Sequence, residues 1–455
     1  MKMAEIFLGV VADDFTGASD AASMLAEAGV PTVLFNGIPD KLPALREDIR
    51  AIVVAEKTRT IPAEEAVKEM LAAFDWLRAR GAKQLYFKYC ATFDSTAKGN
   101  IGPVADAVMK KYSIPYTVLA PALPVNGRTV RDGQLYVNGI PLSESHMRNH
   151  PLTPMRESDV CRLIEMQSPH RGYQVRIEEL KSWRSGHAQV ASRSSLDAET
   201  RREKYYLVPD YYENAHGDLI AETFGTLPFL TGGSGLCGAL GRRYVRLHPA
   251  LQEVNAGDAN AAHERRQAEH TIGETKLEKS ETLPHEHETL LLAGSCSKIT
   301  LEQIADYQEK GKTDLFIDPV KLVQGEIDAA TIFSAVQAAG DAVLVYSSQK
   351  PEEMRKTQEL GLEQVSERLE STMGELAHRA VLDGYTRIIS AGGETGGAVT
   401  KALGYTAFYI GKSVAPGVPI MTPVENPKLR LVLKSGGFGQ KDFFERAVKM
   451  TEDEK

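Results

Sequence analysis

Two adjacent carboxylates in the segment GVVADDFTG, residues 9–17, have the side-chain chemistry of a reactive site. Asp13 and Asp14 follow an apolar run, residues 6–11, and precede a helical pattern. Charged side chains at such a position are costly to desolvate unless they are paired or used. Because an aspartate can accept a proton from an alcohol, we expect this pair to handle a hydroxyl group.

Further polar side chains follow the other predicted strands of the same half, where ligands of parallel α/β sheets bind. They are Arg59, Lys88, Asp94, Ser95, Thr96, Lys98, Asn126, Arg128, Arg148 and His150. Each alone has a structural explanation, since a strand-end aspartate can cap a helix and Asn-Gly is a common turn pair. Taken together, the cations can bind a carboxylate, and the amides and hydroxyls can bind a polyol. The set therefore predicts a small sugar acid as the ligand.

The segment RIISAGGETGGAVTKALG, residues 387–404, carries a different chemistry. Its glycines permit close backbone approach, and the helix that follows offers free N–H groups and partial positive charge to a phosphate. A tight glycine turn without a ligand is the alternative. Two more Gly/Ser-rich strand ends, 294–297 and 434–439, favour a nucleotide site. GYTAFYIGKS, 404–413, has the wrong spacing for a P-loop, so Lys412 is expected at the surface.

The first strand–helix turn argues against a dinucleotide site. A dinucleotide fingerprint needs glycines where pyrophosphate meets the backbone, and carboxylates stand in that place here. The glycines of 232–241 do not follow a clear strand in the sequence pattern, so a helix-packing role is expected first and a ligand loop second.

Short apolar runs alternating with amphipathic stretches predict an α/β fold with mainly parallel sheets. The predicted strands are 6–12, 32–35, 51–55, 84–89, 116–122, 205–209, 289–295, 314–318, 342–348, 387–393 and 430–437. A charged segment with few large apolar residues, 252–287, is expected to be a linker. It separates two doubly wound domains, 1–251 and 288–455, with an active-site cleft expected between them.

Composition narrows the classes of function. A net charge of −8 argues against nucleic acid or a membrane surface as partner. The four cysteines are widely spaced, which disfavours a metal cluster or a disulfide framework. The N-terminus is not typical of a signal peptide, and no apolar run approaches the ~20 residues of a membrane span. We expect a cytoplasmic protein that binds a small molecule, with a homo-oligomer left open.

Four motifs, VADDFTGASDAA, GSCS, GGETGGAV and LKSGGFG, together resemble the four-carbon acid sugar kinase family. The resemblance runs over nearly the whole chain. KYCATFDSTAKGNIGPV, NGRTV and SHMRNHPLTPM are most similar to the 3-oxo-tetronate kinase branch.

The resemblance implies an N-terminal domain for the acid sugar and a C-terminal domain for ATP, with phosphorylation of the terminal O4 hydroxyl and Mg2+ as divalent cation. It implies a substrate group of Asp14, Arg59 and the loop Phe93–Thr96, and an ATP group of Ser295, Gly392, Gly393, Glu394, Thr395 and Gly437. The metal ligands stay unassigned.

Within this expectation Asp14 is the first candidate for the group that takes or orients the hydroxyl proton, and Asp13 and Asp94 are its competitors. Arg59, with Lys88 or Arg128, would hold the substrate carboxylate. A threonate or erythronate kinase is the alternative within the family. A nicotinamide-dependent oxidoreductase or a non-catalytic sugar-acid sensor are alternatives of other classes, distinguished by bound cofactor and by the absence of ATP binding.

Overall fold

A computed structural model describes residues 5–150, 153–184, 204–249, 251, 288–349 and 362–453. The chain divides into two units, 1–257 and 258–455. The predicted linker, 252–287, lies outside the described residues.

The N-terminal unit is built on a parallel sheet of eight strands in the order β2-β3-β1-β4-β11-β5-β10-β9, and a separate antiparallel sheet holds β6-β7-β8. The strands are β1 Leu8–Ala12, β2 Thr32–Asn36, β3 Ala51–Ala55, β4 Gln84–Lys88, β5 Tyr116–Ala120, β6 Arg128–Arg131, β7 Gln134–Val137, β8 Ile140–Pro141, β9 Arg171–Val175, β10 Tyr205–Pro209 and β11 Phe229–Gly232. The helices are α1 Phe15–Glu27, α2 Ala63–Ala79, α3 Ile101–Lys111, α4 Val160–Glu165, α5 Ile177–Arg184, α6 Asn214–Phe224 and α7 Ser234–Leu247.

The C-terminal unit has a mixed sheet in the order β13-β14-β12-β15-β18-β17-β16, in which β16 with β17 and β17 with β18 are the antiparallel pairs. The strands are β12 Thr289–Ala293, β13 Asp314–Phe316, β14 Val343–Tyr346, β15 Arg387–Ala391, β16 Ala407–Ala415, β17 Val418–Pro423 and β18 Arg430–Lys434. The described helices are α8 Lys298–Glu309, α9 Pro319–Gln324, α10 Ala329–Ala339, α11 Leu362–Leu382, α12 Gly393–Leu403 and α13 Phe443–Asp453.

The strand order explains where ligands can bind in each unit. In the N-terminal sheet β3 and β4 lie on opposite sides of β1, and in the C-terminal sheet β14 and β15 lie on opposite sides of β12. The connections therefore diverge at the carboxyl ends of β1 and β12, and such a point opens a crevice for a ligand. The expected α/β fold with mainly parallel sheets is confirmed, and its central strands are the fully buried runs of the sequence.

Four strands of the two large sheets were missed by the sequence analysis. They are β9, β11, β16 and β17. Segment 232–241 follows β11 directly, so the expectation that no strand precedes it was wrong. Its expected packing role is confirmed, because a Cβ on Gly238 would lie 3.1 Å from Met24 Cβ and one on Gly241 would lie 3.0 Å from Ala28 Cβ. These glycines let α7 pack closely against α1.

One other expectation from the sequence agrees with the structure. Lys412 is exposed on β16, as expected for a residue outside a P-loop. None of the helices in the described ranges combines the length and the apolar character that a membrane span requires.

Candidate functional site

Asp13 is the buried centre of the N-terminal site, and Arg59 binds it with two hydrogen bonds. The guanidinium donates from Nε to Oδ2 at 3.0 Å and from Nη2 to Oδ1 at 2.8 Å. The backbone N–H of Thr58 donates to Asp13 O at 3.1 Å, which fastens the segment after β3 to the same residue. Burial by itself would lower the pKa of Arg59, but the charges of Asp13 and Asp14 raise it well above its usual value. The guanidinium therefore stays charged.

Asp14 stands beside this pair in a different environment. It is the N-cap of α1, where its Oδ1 accepts from Gly17 N at 2.8 Å and lies 2.8 Å from Arg59 Nη2. Its side chain is 30% exposed, against 8% for Asp13. Within the described residues, Oδ2 of Asp14 has no protein partner. Of the two aspartates, Asp14 is the one that can meet a ligand.

Lys88 lies inside the domain. It is 3% exposed, and its ammonium donates to Tyr89 O at 2.9 Å. Burial raises the pKa of Asp20 while the charge of Lys88 lowers it, so this lysine acts as a buried counter-charge. Asp20, which the sequence analysis missed, also accepts from Ser234 Oγ at 2.5 Å. The expected hold of Lys88 on a substrate carboxylate does not agree with this burial.

The loop after β4 presents backbone atoms more than side chains. Phe93 is fully buried and packs edge to face on Tyr89, with ring centroids 5.7 Å apart. Its φ of 51° lies in the left-handed region, which is uncommon for a bulky residue and marks a constrained turn. A ligand could therefore contact Phe93 only through its backbone.

Two side chains of the same loop are engaged by the protein. Asp94 Oδ1 accepts from Thr92 Oγ1 at 2.5 Å and is half-buried. Ser95 is 4% exposed, and its Oγ accepts from Gln167 Nε2 at 3.0 Å. Asp94 retains some access to solvent, whereas the Ser95 hydroxyl serves chiefly to hold the loop.

Asn100 ends this loop and organises the neighbouring one. Its Nδ2 donates to Thr58 O at 2.6 Å and to Ile61 O at 2.9 Å, so it fixes the backbone on both sides of Arg59. An amide directly before α3 was the only sequence signal for this role. Thr96 accepts from the N–H of Lys98 at 3.3 Å, and Lys98 is exposed.

The remaining predicted substrate residues lie in and around the small antiparallel sheet. Arg128 donates from Nη1 to Asn126 O, and Arg148 is exposed and bonds a backbone carbonyl. His150 accepts from Thr153 N at 3.1 Å through Nδ1. In the described ranges, no hydrogen bond or ion pair joins these residues to the aspartates after β1.

The C-terminal unit contains a cavity of about 550 Å3 at the carboxyl ends of β12, β14 and β15. Five of the six residues expected to bind ATP line it, since only Gly437 is outside the lining. The lining residues are Gly294, Ser295, Cys296, Pro319, Ser347, Gln349, Val365, Ser366, Leu369, Gly392, Gly393, Glu394 and Thr395. The wall combines aliphatic side chains from α11 with polar strand-end loops, which suits an aromatic base at one side and phosphates at the other.

The start of α12 gives the cavity a geometry that suits an anion. Gly392 has φ 136°, a backbone conformation that residues with a side chain rarely adopt. A Cβ at this position would lie 2.9 Å from Thr395 Oγ1. Gly393 has open space around the position of a Cβ, so the backbone N–H groups of the first turn are approachable. These unpaired donors and the helix dipole favour an anion.

Metal-binding side chains are not clustered in the described ranges, where no group of three or more His, Cys, Asp or Glu residues could hold an ion. Glu394 is an exposed carboxylate on the cavity lining. A divalent ion here would therefore depend on one or two carboxylates, a ligand's oxygens and water, as Mg2+ commonly does.

Two family models match the chain and divide it as its two units do. A sugar-binding N-terminal domain matches residues 8–240, and a nucleotide-binding C-terminal domain matches residues 290–444. The aspartate pair falls in the first match and the cavity in the second.

Relatives of known name match over nearly the full length. The chain is 40% identical over 452 residues to a 3-oxo-tetronate kinase of Brucella melitensis, covering 98% of this chain and 96% of the relative. It is 39% identical over 450 residues to a 3-oxo-tetronate kinase of Haemophilus influenzae, covering 97% and 99%. The chain belongs to the four-carbon acid sugar kinase family.

A solved structure is similar in fold. The crystal structure of a Haemophilus influenzae protein of family DUF1537 superimposes with a TM-score of 0.76 at 37% identity, covering 97% of this chain and all of that one. The two-domain α/β architecture is therefore shared with that protein.

Glu56, three residues before Arg59, gives a test of the electrostatics of the segment after β3. Burial, with the charge of Glu69, raises the pKa of Glu56 from 4.5 to about 7. The folded chain thus binds this proton more tightly than the unfolded chain, and folding stability is lost as pH rises from about 4.5 to 7. The substitution Glu56→Gln removes the titrating group and, with it, this loss of folding stability.

We expect Glu56→Gln to raise the free energy of unfolding at pH 8 by about 1–2 kcal/mol relative to wild type, after allowance for partial solvent screening. At pH 5 the gain should be much smaller. Urea unfolding at both pH values measures it, and Glu65→Gln, an exposed change on α2, is the control. An equal effect at the two pH values would show that Glu56 does not titrate in this range.

Proposed function

We propose that this protein is an ATP-dependent kinase that phosphorylates the terminal O4 hydroxyl of a four-carbon sugar acid, 3-oxo-tetronate. The identity to named 3-oxo-tetronate kinases over nearly the whole chain supports this substrate most strongly. The chemistry of the two strand-end sites supports the reaction, since carboxylates and cations stand in one domain and a glycine-rich anion site in the other.

Asp14 is the group that takes or orients the hydroxyl proton. Its Oδ2 is available beside the charged Arg59, whereas Asp13 has both oxygens bound to that arginine. A base must lie within hydrogen-bond reach of the proton that it takes, and exposure of the Asp14 side chain permits this. Asp13 is less favoured because both of its oxygens are bound to Arg59. Asp94, whose Oδ1 accepts from Thr92, is the competitor that stands apart from the Arg59 guanidinium.

Arg59 can bind the substrate while it holds the aspartates. Nε and Nη2 are used on Asp13 and Asp14, but Nη1 has no protein partner within the described residues, and the side chain is 23% exposed. An N–H of a charged guanidinium is a strong donor to a carboxylate or hydroxyl oxygen. The proposal keeps three further predicted contacts with the substrate, which lie outside the Asp13–Asp14–Arg59 cluster: Lys98, Arg128 and the backbone of Phe93.

The nucleotide occupies the C-terminal cavity. Its phosphates lie at the start of α12, where the backbone donors of Gly393 and its neighbours neutralise negative charge. Mg2+ would be shared between the phosphates, water and a carboxylate such as Glu394, and it would supply charge neutralisation. Transfer requires the hydroxyl and the γ-phosphate to meet during turnover.

ATP as co-substrate also supports a cytoplasmic location, and self-association stays an expectation.

The substrate assignment predicts the outcome of a phosphorylation screen. The purified full chain with ATP and Mg2+ should convert 3-oxo-tetronate to its 4-phosphate with a higher kcat/KM than threonate or erythronate, because the branch motifs and relatives point to the oxo acid. Coupled ADP release with product mass detection measures it. Much faster turnover of threonate or erythronate would contradict the assignment.

The two sites should respond separately to substitution. Asp14→Asn keeps the N-cap hydrogen bond but removes the charge, so kcat should fall on the order of 10²–10⁴-fold while ATP affinity hardly changes. Gly393→Val places a side chain in the open space of the cavity, so ATP affinity should fall while sugar-acid binding survives.

Gly397→Val is the matched control for the cavity variant. It is the same change on the same helix, at an exposed position outside the cavity lining. Calorimetry of each variant with ATP and with the sugar acid shows which of the two sites a substitution affects. Loss of ATP binding in Asp14→Asn with sugar-acid binding intact, or equal loss of ATP affinity in both valine variants, would contradict the division of roles.

A further inference from the structure

Lys434 ends strand β18 and is buried beneath the strand-end loops of the C-terminal domain. It is 2% exposed, and its ammonium Nζ lies 3.0 Å from Thr300 Oγ1, 3.2 Å from Ser435 O and 3.3 Å from Gly436 O. All three acceptors are neutral oxygens. The side chain thus carries a full charge into the interior, where it meets these neutral oxygens and the ring of Phe443, whose centroid lies 5.6 Å from Nζ.

No carboxylate of the described ranges forms an ion pair with Lys434. Burial lowers the pKa of Lys434 to about 8, and at neutral pH most molecules therefore still carry the charge. A buried cation without an anionic partner is unfavourable for folding. Such a group is expected where a ligand supplies the missing negative charge.

The neighbours of Lys434 are the walls of the cavity. Its carbonyl accepts from Gly392 N at 2.9 Å, and its partner in strand β15 is Ala391, directly before the phosphate loop. Gly436 passes so close to Ser295 that a Cβ on Gly436 would lie 2.3 Å from Ser295 Oγ. Both Gly392 and Ser295 line the cavity.

A hydrogen-bond network ties the same loops together around the ammonium. Gly436 O accepts from Ser297 Oγ at 2.6 Å and from Thr300 Oγ1 at 3.1 Å, as well as from Lys434. The loops after β12 and β18 are therefore fixed to each other, with the lysine at their junction. A strand-end lysine in LKSGGFG was visible in the sequence, but its burial was not.

We propose that Lys434 is a positioning residue of the nucleotide site, whose buried ammonium attracts the phosphates from behind the loops and holds the 435–436 carbonyls away from them. The inference rests on the nucleotide site of the proposed function. It adds a fixed positive charge to a phosphate subsite otherwise made of backbone N–H groups and a helix dipole.

Binding of ADP and of adenosine to the full chain tests the inference, because only ADP carries phosphates. In Lys434→Met, ADP affinity should fall roughly 10- to 100-fold, as for loss of one interaction with a charged group, while adenosine affinity changes less than about 2-fold. Calorimetry measures both. Thr300→Val is the control, since it removes a hydrogen bond from the same network and keeps the charge; its loss for ADP should stay below about 5-fold.

The outcomes separate this inference from the proposed function. Wild-type protein that binds neither ADP nor ATP would overturn the nucleotide site itself and the inference with it. If wild type binds ADP and Lys434→Met binds it equally well, or loses adenosine to the same extent, only the role of Lys434 is overturned. Should Lys434→Met not fold, Lys434→Gln provides the same comparison, with the same results expected.

Discussion

The buried ion pair between Asp13 and Arg59 is the interaction on which the N-terminal site depends. Asp13 lies at the end of a fully buried strand and would be costly there without a partner. Arg59 reaches it from the segment after β3, and Asn100 fixes that segment from the start of α3. Because Asp13 is fully engaged, the neighbouring carboxylate of Asp14 is left as the helix cap with an available oxygen. The geometry thus gives a reason for two acids side by side: one holds the loop, and the other keeps an oxygen for the ligand that we propose.

The two domains use the same position in a parallel sheet for opposite charges. At the end of β1, carboxylates would repel phosphate, whereas at the end of β15 glycines expose backbone N–H groups that attract it. This division assigns the acid sugar and the nucleotide to different domains before any relative is considered. The family models make the same division along the chain.

Much of this arrangement could be predicted from the sequence, because buried parallel strands appear as short apolar runs and their ends are easily located. β9 and β11 were missed because RGYQV is polar and FLTG is short and ends in glycine. The direction of side chains was harder to predict than their place. Lys88, at the end of β4, and Phe93, in the loop after it, stand where they were expected but are buried, since burial depends on neighbours distant in sequence. Asp20 and Lys434 were missed for the same reason.

In the proposed reaction Asp14, and not Asp13 or Asp94, meets the hydroxyl that is phosphorylated. A crystal structure of the full chain with 3-oxo-tetronate and a non-hydrolysable ATP analogue measures this directly. We expect Asp14 Oδ2 within about 3 Å of the terminal hydroxyl, with both oxygens of Asp13 still on Arg59. A terminal hydroxyl bound to Asp94, or to Asp13 with its Arg59 pair broken, would contradict it.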